Sequence, residues 1–159
     1  MKVLVVSDSH GDVENMCQAV ELEQPRMVLY LGDGWRDATL LQERYPDLPM
    51  ERVPGNCDYR RIEPAEKLLL LCGMRVFLCH GHTQGVKSQL SMLLRTALEQ
   101  NADVALFGHT HTPFVDIRRG IILLNPGSIG SYGRPSYGTL TFADGKCIPA
   151  THLLKEDTW

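Results

Sequence analysis

No stretch of this chain approaches the ~18 consecutive apolar residues that a membrane-spanning helix needs. Its opening, MKVLVVSDSH, gives only a short apolar run before an acid and a histidine. That is too short for the core of a signal peptide, so the expected location is cytoplasmic, with no membrane partner. Long runs of lysine or arginine are also missing, and the formal net charge is −3 with a pI near 6.0. A broad basic surface for nucleic acid is therefore not expected. No CxxC pair occurs among the five cysteines, Cys17, Cys57, Cys72, Cys79 and Cys147. Reduced, mostly buried thiols are the simplest reading. Internal repeats, low-complexity tracts and linkers are absent as well. The 159 residues, 43% of them hydrophobic, thus read as a single domain, 1–159, with one proper core.

What the chain does contain is an alternation of apolar runs and helix-period segments. KVLVV (2–6) and RMVLYL (26–31) are near-continuous hydrophobic runs, as expected of strands covered on both faces. Between them Val13, Met16, Cys17 and Val20 repeat at i, i+3, i+4, i+7, with Asp12 as the expected cap. Residues 35–45 read as a second helix with Ala38, Leu41 and Tyr45 inward. A third carries the stripe Leu90, Leu93, Leu94, Ala97 and Leu98. Short runs at 50–53, 66–72, 75–79 and 103–107 complete this part. From about residue 113, FVDIRRGIILLN and YGTLTFADGKCIPATHLL each read as strand, tight turn, strand. The fold class is α/β with mixed sheets, stacked, and helices outside.

Six of these strands run into polar, glycine-lined turns. They are Ser7-Asp8-Ser9-His10, Gly32-Asp33-Gly34, Pro54-Gly55-Asn56-Cys57-Asp58, His80-Gly81-His82, Gly108-His109-Thr110-His111 and Asn125-Pro126-Gly127-Ser128. In open α/β sheets, ligands bind beyond the carboxyl ends of strands, so these turns describe one converged polar site. Asp8 and His10, spaced i, i+2, would point the same way on an extended segment. Singly, the pieces have ordinary readings: Asp33 in a Gly-Asp-Gly turn, Asn56 as a turn asparagine, Asp58 as a helix or turn cap. The histidines are harder to dismiss. Five of the six lie in three short loops, and only His152 stands apart. Two HxH pairs, each directly after a buried strand, point to metal. Imidazoles mixed with carboxylates and an amide oxygen suit Mn, Fe, Zn, Co or Ni, and the donors are too many for one four-coordinate ion.

In order and spacing, these blocks resemble the calcineurin-like metallophosphoesterase superfamily, and most of all its small, cap-less bacterial and archaeal phosphodiesterase branch. The resemblance spans residue 3 to the strands after Ser128. It implies a four-layer α/β/β/α sandwich of two mixed β-sheets flanked by helices, holding two divalent transition-metal ions, Mn foremost and Ni, Zn, Fe or Co as alternatives. By matching position, one ion would take Asp8, His10, Asp33 and His111. The other would take Asp33, Asn56, His80 and His109, with Asp33 bridging. A hydroxide held between the ions would attack phosphorus, and the Asn56 amide would reach a phosphate oxygen.

One position departs from the fuller family pattern: Cys57 stands where a histidine helps the leaving group depart. A thiol is a poor proton donor near pH 7. His82 is then expected either to supply the donor or to orient a ligand through a hydrogen bond. The resemblance implies a phosphodiesterase acting on a small-molecule phosphate ester. A phosphomonoesterase at the same site and a non-catalytic protein-interaction scaffold of the same fold are the alternatives. Arg60, Arg61 and Lys87 read first as ordinary solvated charges near a loop, with contact to a phosphate as the alternative, and a homodimer through apolar strand positions near the C-terminus is the candidate assembly.

Overall fold

Aliphatic runs set the two sheets. In this computed structural model, which describes residues 1–59 and 62–155, β1 (Lys2–Val6) and β2 (Met27–Tyr30) pair in parallel, from Val3 opposite Met27 to Val6 opposite Tyr30. β3 (Met50–Arg52) continues the parallel set beyond β2. The second sheet is built from β4 (Glu66–Leu71), β5 (Met74–Cys79), β6 (Val104–Leu106), β7 (Pro113–Arg118) and β8 (Ile121–Pro126). β9 (Ser136–Ala143) and β10 (Lys146–Leu153) return to the first. Strand orders are β10-β9-β1-β2-β3 and β4-β5-β6-β8-β7.

Side-chain alternation explains the layering, since neighbouring residues on a strand face opposite sides. Val3, Val5, Leu29, Leu78, Leu106 and Leu124 meet between the sheets. Leu4, Val6, Val28 and Tyr30 face the other way, onto α1 (Val13–Glu23) and α2 (Trp35–Arg44). Phe77, Ala105 and Phe107 face α3 (Ser91–Glu99), which packs through Leu93 and Ala97. Helices, sheet, sheet and helix therefore stack as the expected α/β/β/α sandwich. Asp12 caps α1, its carboxylate accepting the Asn15 N–H at 3.0 Å.

The parallel strands are β1, β2, β3 in one sheet and β5, β6, β8 in the other. They are the same six whose sequences run into polar turns. Antiparallel β4, β7, β9 and β10 only extend the flanks. Three hairpins close on two residues with positive φ: Cys72-Gly73, Arg119-Gly120 and Asp144-Gly145. This is the turn whose twist matches that of paired strands. The first was not expected, because the runs on either side were read as part of the alternating region. It places Cys72 at an exposed tip, and Cys57 is exposed in its polar loop. The expectation of mostly buried thiols thus holds only for Cys17 and Cys79, with Cys147 half-buried.

Leu106 is fully buried between the sheets. Leu106→Ala is expected to lower the unfolding free energy by about 2–5 kcal/mol, read from urea denaturation.

Candidate metal centre

The turns after the parallel strands are bent backbone, and the expectation of an extended Asp8–His10 segment is corrected here. Asp8 (φ 56°), His10 (43°), Asp33 (64°), His109 (71°) and His111 (62°) all adopt left-handed φ. Side chains other than glycine seldom do so, and such residues cluster at functional sites. Each turn reverses sharply, so its polar side chains fold back over the strand ends.

Two groups of donors result. Asp8, His10 and His111 form one, and Asp33, His80 and His109 the other; within each, the ligand atoms lie within 4.8 Å of one another. Asp8 Oδ2 accepts from Ser7 Oγ at 2.6 Å and from the His109 N–H at 3.1 Å. Its Oδ1 is buried and has no hydrogen-bond partner among the described residues. Imidazole nitrogens surround that oxygen: His111 Nε2 at 3.1 Å, and the Nε2 atoms of His10 and His80 each at 3.8 Å. Asp33 divides its oxygens in the same way. Oδ1 accepts the Cys57 N–H at 2.8 Å, while Oδ2 lies 3.3 Å from His80 Nε2 and 4.0 Å from His10 Nε2. His80 Nδ1 donates to the Leu31 carbonyl at 2.7 Å, which leaves its Nε2 lone pair facing the cluster. An orphaned carboxylate oxygen ringed by imidazoles, with no thiolate near, fits a divalent transition-metal ion.

The electrostatics agree. Burial pushes the Asp8 carboxyl up, but the neighbouring His10 and His80 imidazoles pull it to a net lowered value. Burial likewise raises Asp33, yet His80 and the Cys57 N–H hold it well below the usual carboxylate range. His10 is raised, chiefly by the Asp8 carboxylate beside it. Burial, then His80 and Lys87, lower His109. Both acids are thus ionised and ready to ligate at neutral pH.

Much of what positions these groups escapes a reading by motif. Asp58 reads in sequence as a local cap, but it caps α2, a helix that precedes it in the chain. Its Oδ1 accepts the N–H groups of Gly34 (3.0 Å) and Trp35 (2.9 Å), and its Oδ2 those of Asp33 (2.7 Å) and Gly55 (2.8 Å). One carboxylate therefore ties the turn after β2 to the turn after β3. Asp37, buried on α2, accepts from Ser9 Oγ (2.6 Å) and the Gly11 N–H (2.7 Å), fixing the first turn from below. A Cβ at Gly34 would collide with Ser9 Oγ, the Tyr30 hydroxyl and Asp37. Asn125 Nδ2 donates to the Gly108 carbonyl (3.0 Å) and Thr110 Oγ1 (2.9 Å), and Ser128 Oγ donates to the Asp8 carbonyl (2.7 Å). The one available signal for Asn125 and Ser128 was their place after a strand; for Asp37 there was none.

The remaining expected residues lie around this cluster. His82 sits 5.4 Å from His80 and 6.1 Å from His109, ring centre to ring centre, with Nδ1 buried and unpartnered among the described residues. Asn56 is exposed, and its Nδ2 donates to Cys57 Sγ at 3.5 Å along the loop. Lys87 is exposed. Arg60 and Arg61 lie outside the described residues. His152, as expected, is remote: it stacks on Tyr137 and its Nε2 lies 2.9 Å from Thr139 Oγ1.

Asp58→Asn keeps the size of the side chain but loses the charge and one acceptor oxygen. It is expected to destabilise the fold by about 1–3 kcal/mol, the scale for stranding a buried donor, measured by chemical denaturation.

Residues 1–145 match the family model described as the calcineurin-like phosphoesterase superfamily domain. A probable metallophosphoesterase of Bacillus subtilis, YsnB, is 36% identical over 130 residues, covering 81% of this chain and 75% of its own. The phosphodiesterase YfcE of Escherichia coli K12 is 34% identical over 169 residues, 88% and 87% of the two chains. Among solved structures, a predicted phosphoesterase of Streptococcus pneumoniae TIGR4 superposes with a TM-score of 0.82 at 24% identity, over 99% of this chain and 92% of its own. Vps29 of Entamoeba histolytica, complexed with zinc, shares the fold with a TM-score of 0.75 at 20% identity, over 98% and 100%. The chain belongs to the calcineurin-like phosphoesterase superfamily, whose curated relatives of this chain carry the names of metal-dependent phosphoester hydrolases.

Proposed function

We propose that this protein is a metal-dependent phosphodiesterase that works with two divalent ions, Mn foremost, with Ni, Zn, Fe and Co compatible. The observation that carries the reading is the split use of Asp8 and Asp33: one oxygen of each is tied down by the protein, and the other faces imidazole nitrogens. Asp8, His10 and His111 would hold one ion with Asp33, while Asp33, Asn56, His80 and His109 would hold the other. The reach of Asp33 Oδ2 toward both His80 and His10 supports its bridging role. Bound there, the ions acidify water and draw charge from the phosphoryl oxygens.

The chain's own groups do the rest. The Leu31 carbonyl and the Cys57 N–H fix the ring of His80 and the carboxylate of Asp33, so little reorganisation accompanies binding. The Asn56 amide, held along the loop by a 3.5 Å hydrogen bond to Cys57 Sγ, would exchange that contact for a phosphate oxygen. Burial and neighbouring His80 lower the pKa of His82, so its ring is neutral near pH 7. It serves as a hydrogen-bond donor to the leaving oxygen or to a ligand, and is no source of a full proton. Burial and Asp33 push the Cys57 thiol up, so it stays protonated and is no nucleophile. Without an imidazolium at that place, esters with good leaving groups are favoured. The His111 side chain is 45% exposed, and an open centre admits the two substituents of a diester.

Vps29 shares the fold, which keeps a protein-interaction scaffold as the second reading; the two clustered groups of donors weigh against it. Exposed Ile117 on β7 and Ile148 on β10 offer the surface for a homodimer of this single-domain, cytoplasmic protein.

Elemental analysis of unsupplemented protein, beside Mn-supported hydrolysis of a chromogenic diester and its matched monoester, tests the reading. A protein that holds metal yet cleaves neither ester is a scaffold. Asp33→Asn is expected to cost more than about 100-fold in rate, above the range for an outer ligand partner, and to loosen both ions. A variant that keeps two ions and full rate would overturn the bridge. His82→Ala is expected to slow a diester with a poor leaving group by about tenfold and an activated one by less.

A further inference from the structure

Two cavities border the centre, and they differ in chemistry. One opens beside His10 and is lined by Asp12, Glu14, Ser131 and Tyr132, a polar and acidic wall. The other lies beside the His109–His111 turn. It has a volume of about 200 Å³ and is lined by Val86, Leu90, Phe107, Thr110, Thr112 and Phe114.

This second cavity is walled in part by residues of the ligand-bearing loops. Thr110 stands between His109 and His111. Val86 packs over Gly81, between His80 and His82: a Cβ at Gly81 would lie 2.7 Å from a Val86 methyl. The polar atom of Thr110 is already occupied, accepting from Asn125 Nδ2 and from the Thr112 N–H. Thr112 Oγ1 is likewise occupied, donating to the Thr110 carbonyl at 3.4 Å, and the rest of the lining is aliphatic and aromatic. Phe107 and Phe114 meet edge to face at 6.1 Å, the arrangement into which a third ring extends naturally. An apolar cavity of about 150 Å³ suffices to hold benzene, so this one takes one six-membered ring.

We propose that this cavity is the receptacle for a single aromatic ring carried on one ester arm of the substrate. The site then selects unsymmetrical phosphodiesters with an aryl group on the His109 side and a small or hydroxylated group on the His10 side. Asp12 disfavours a second anionic group there, while Glu14 is paired with Arg44 at 2.9 Å. The inference rests on the phosphodiesterase reading, since the phosphoryl group must lie among the histidines for the ring to reach past Thr110. Leu90 sets the depth of the cavity and Phe114 its stacking wall; both are specificity residues.

Isothermal calorimetry on the Mn-loaded full chain, with two non-hydrolysable diester mimics, tests this without turnover. Benzyl(methyl)phosphinate and dimethylphosphinate, in which carbon replaces both ester oxygens, share the anionic head and differ by the ring. Benzyl(methyl)phosphinate is expected to bind at least about tenfold more tightly, as burial of one ring implies. Leu90→Trp, which fills the cavity, is expected to remove that advantage and leave affinity for dimethylphosphinate unchanged. Equal affinities in the wild-type protein, or a ring advantage that survives Leu90→Trp in a folded variant, overturn the receptacle and leave the phosphodiesterase reading intact. Binding of neither compound removes both.

Discussion

Two buried carboxylates govern this structure. Asp8 and Asp33 are withdrawn almost entirely from water, and an ionised acid in that position costs several kcal/mol unless it is paired and hydrogen-bonded. The protein satisfies half of each. Ser7, the His109 N–H and the Cys57 N–H take one oxygen of each pair, and imidazoles crowd the other. What remains is a negative, donor-rich gap suited to cations. Most other local features serve to hold those two side chains there: the left-handed turns, the glycines and the capping acids.

The sheets explain how donors so distant in the chain come together. Parallel strands present all their carboxyl ends at one edge, and here two stacked sheets each contribute three. The backbone closes the circle between them. The Asp8 N–H donates to the Gly32 carbonyl at 2.9 Å and the Gly108 N–H to the His80 carbonyl at 2.8 Å, while Leu31 of one sheet accepts from His80 of the other. The first two lock neighbouring turns within a sheet, and the third locks the sheets to each other. The site is rigid because its walls are the ends of the core strands.

Asp58 and Asp37 show a second tier of the same logic. Each is a carboxylate spent on a turn that carries a ligand, Asp58 on backbone N–H groups and Asp37 on the Ser9 hydroxyl and the Gly11 N–H. Fixed supports of this kind hold ligands in place before a metal arrives. The left-handed conformations at Asp8, Asp33 and His109 store strain, and strain of this kind persists only where the surroundings over-determine it.

By itself the sequence determined a good deal: six hydrophobic runs ending in polar turns, three helices with their inward faces, two of the three tight hairpins, and the histidine pairs. These are local, because strand and helix periodicity and turn chemistry act over a few residues. Only the tertiary structure decided which oxygen of Asp8 is orphaned, that the Asp8–His10 segment is bent, and that Asp58 caps a helix more than twenty residues upstream of it. It also decided that residues 66–79 form a hairpin ending at an exposed Cys72. Those outcomes depend on pairing between segments far apart in the chain, and a carboxylate's partner across such a distance leaves no periodic trace in the residues beside it.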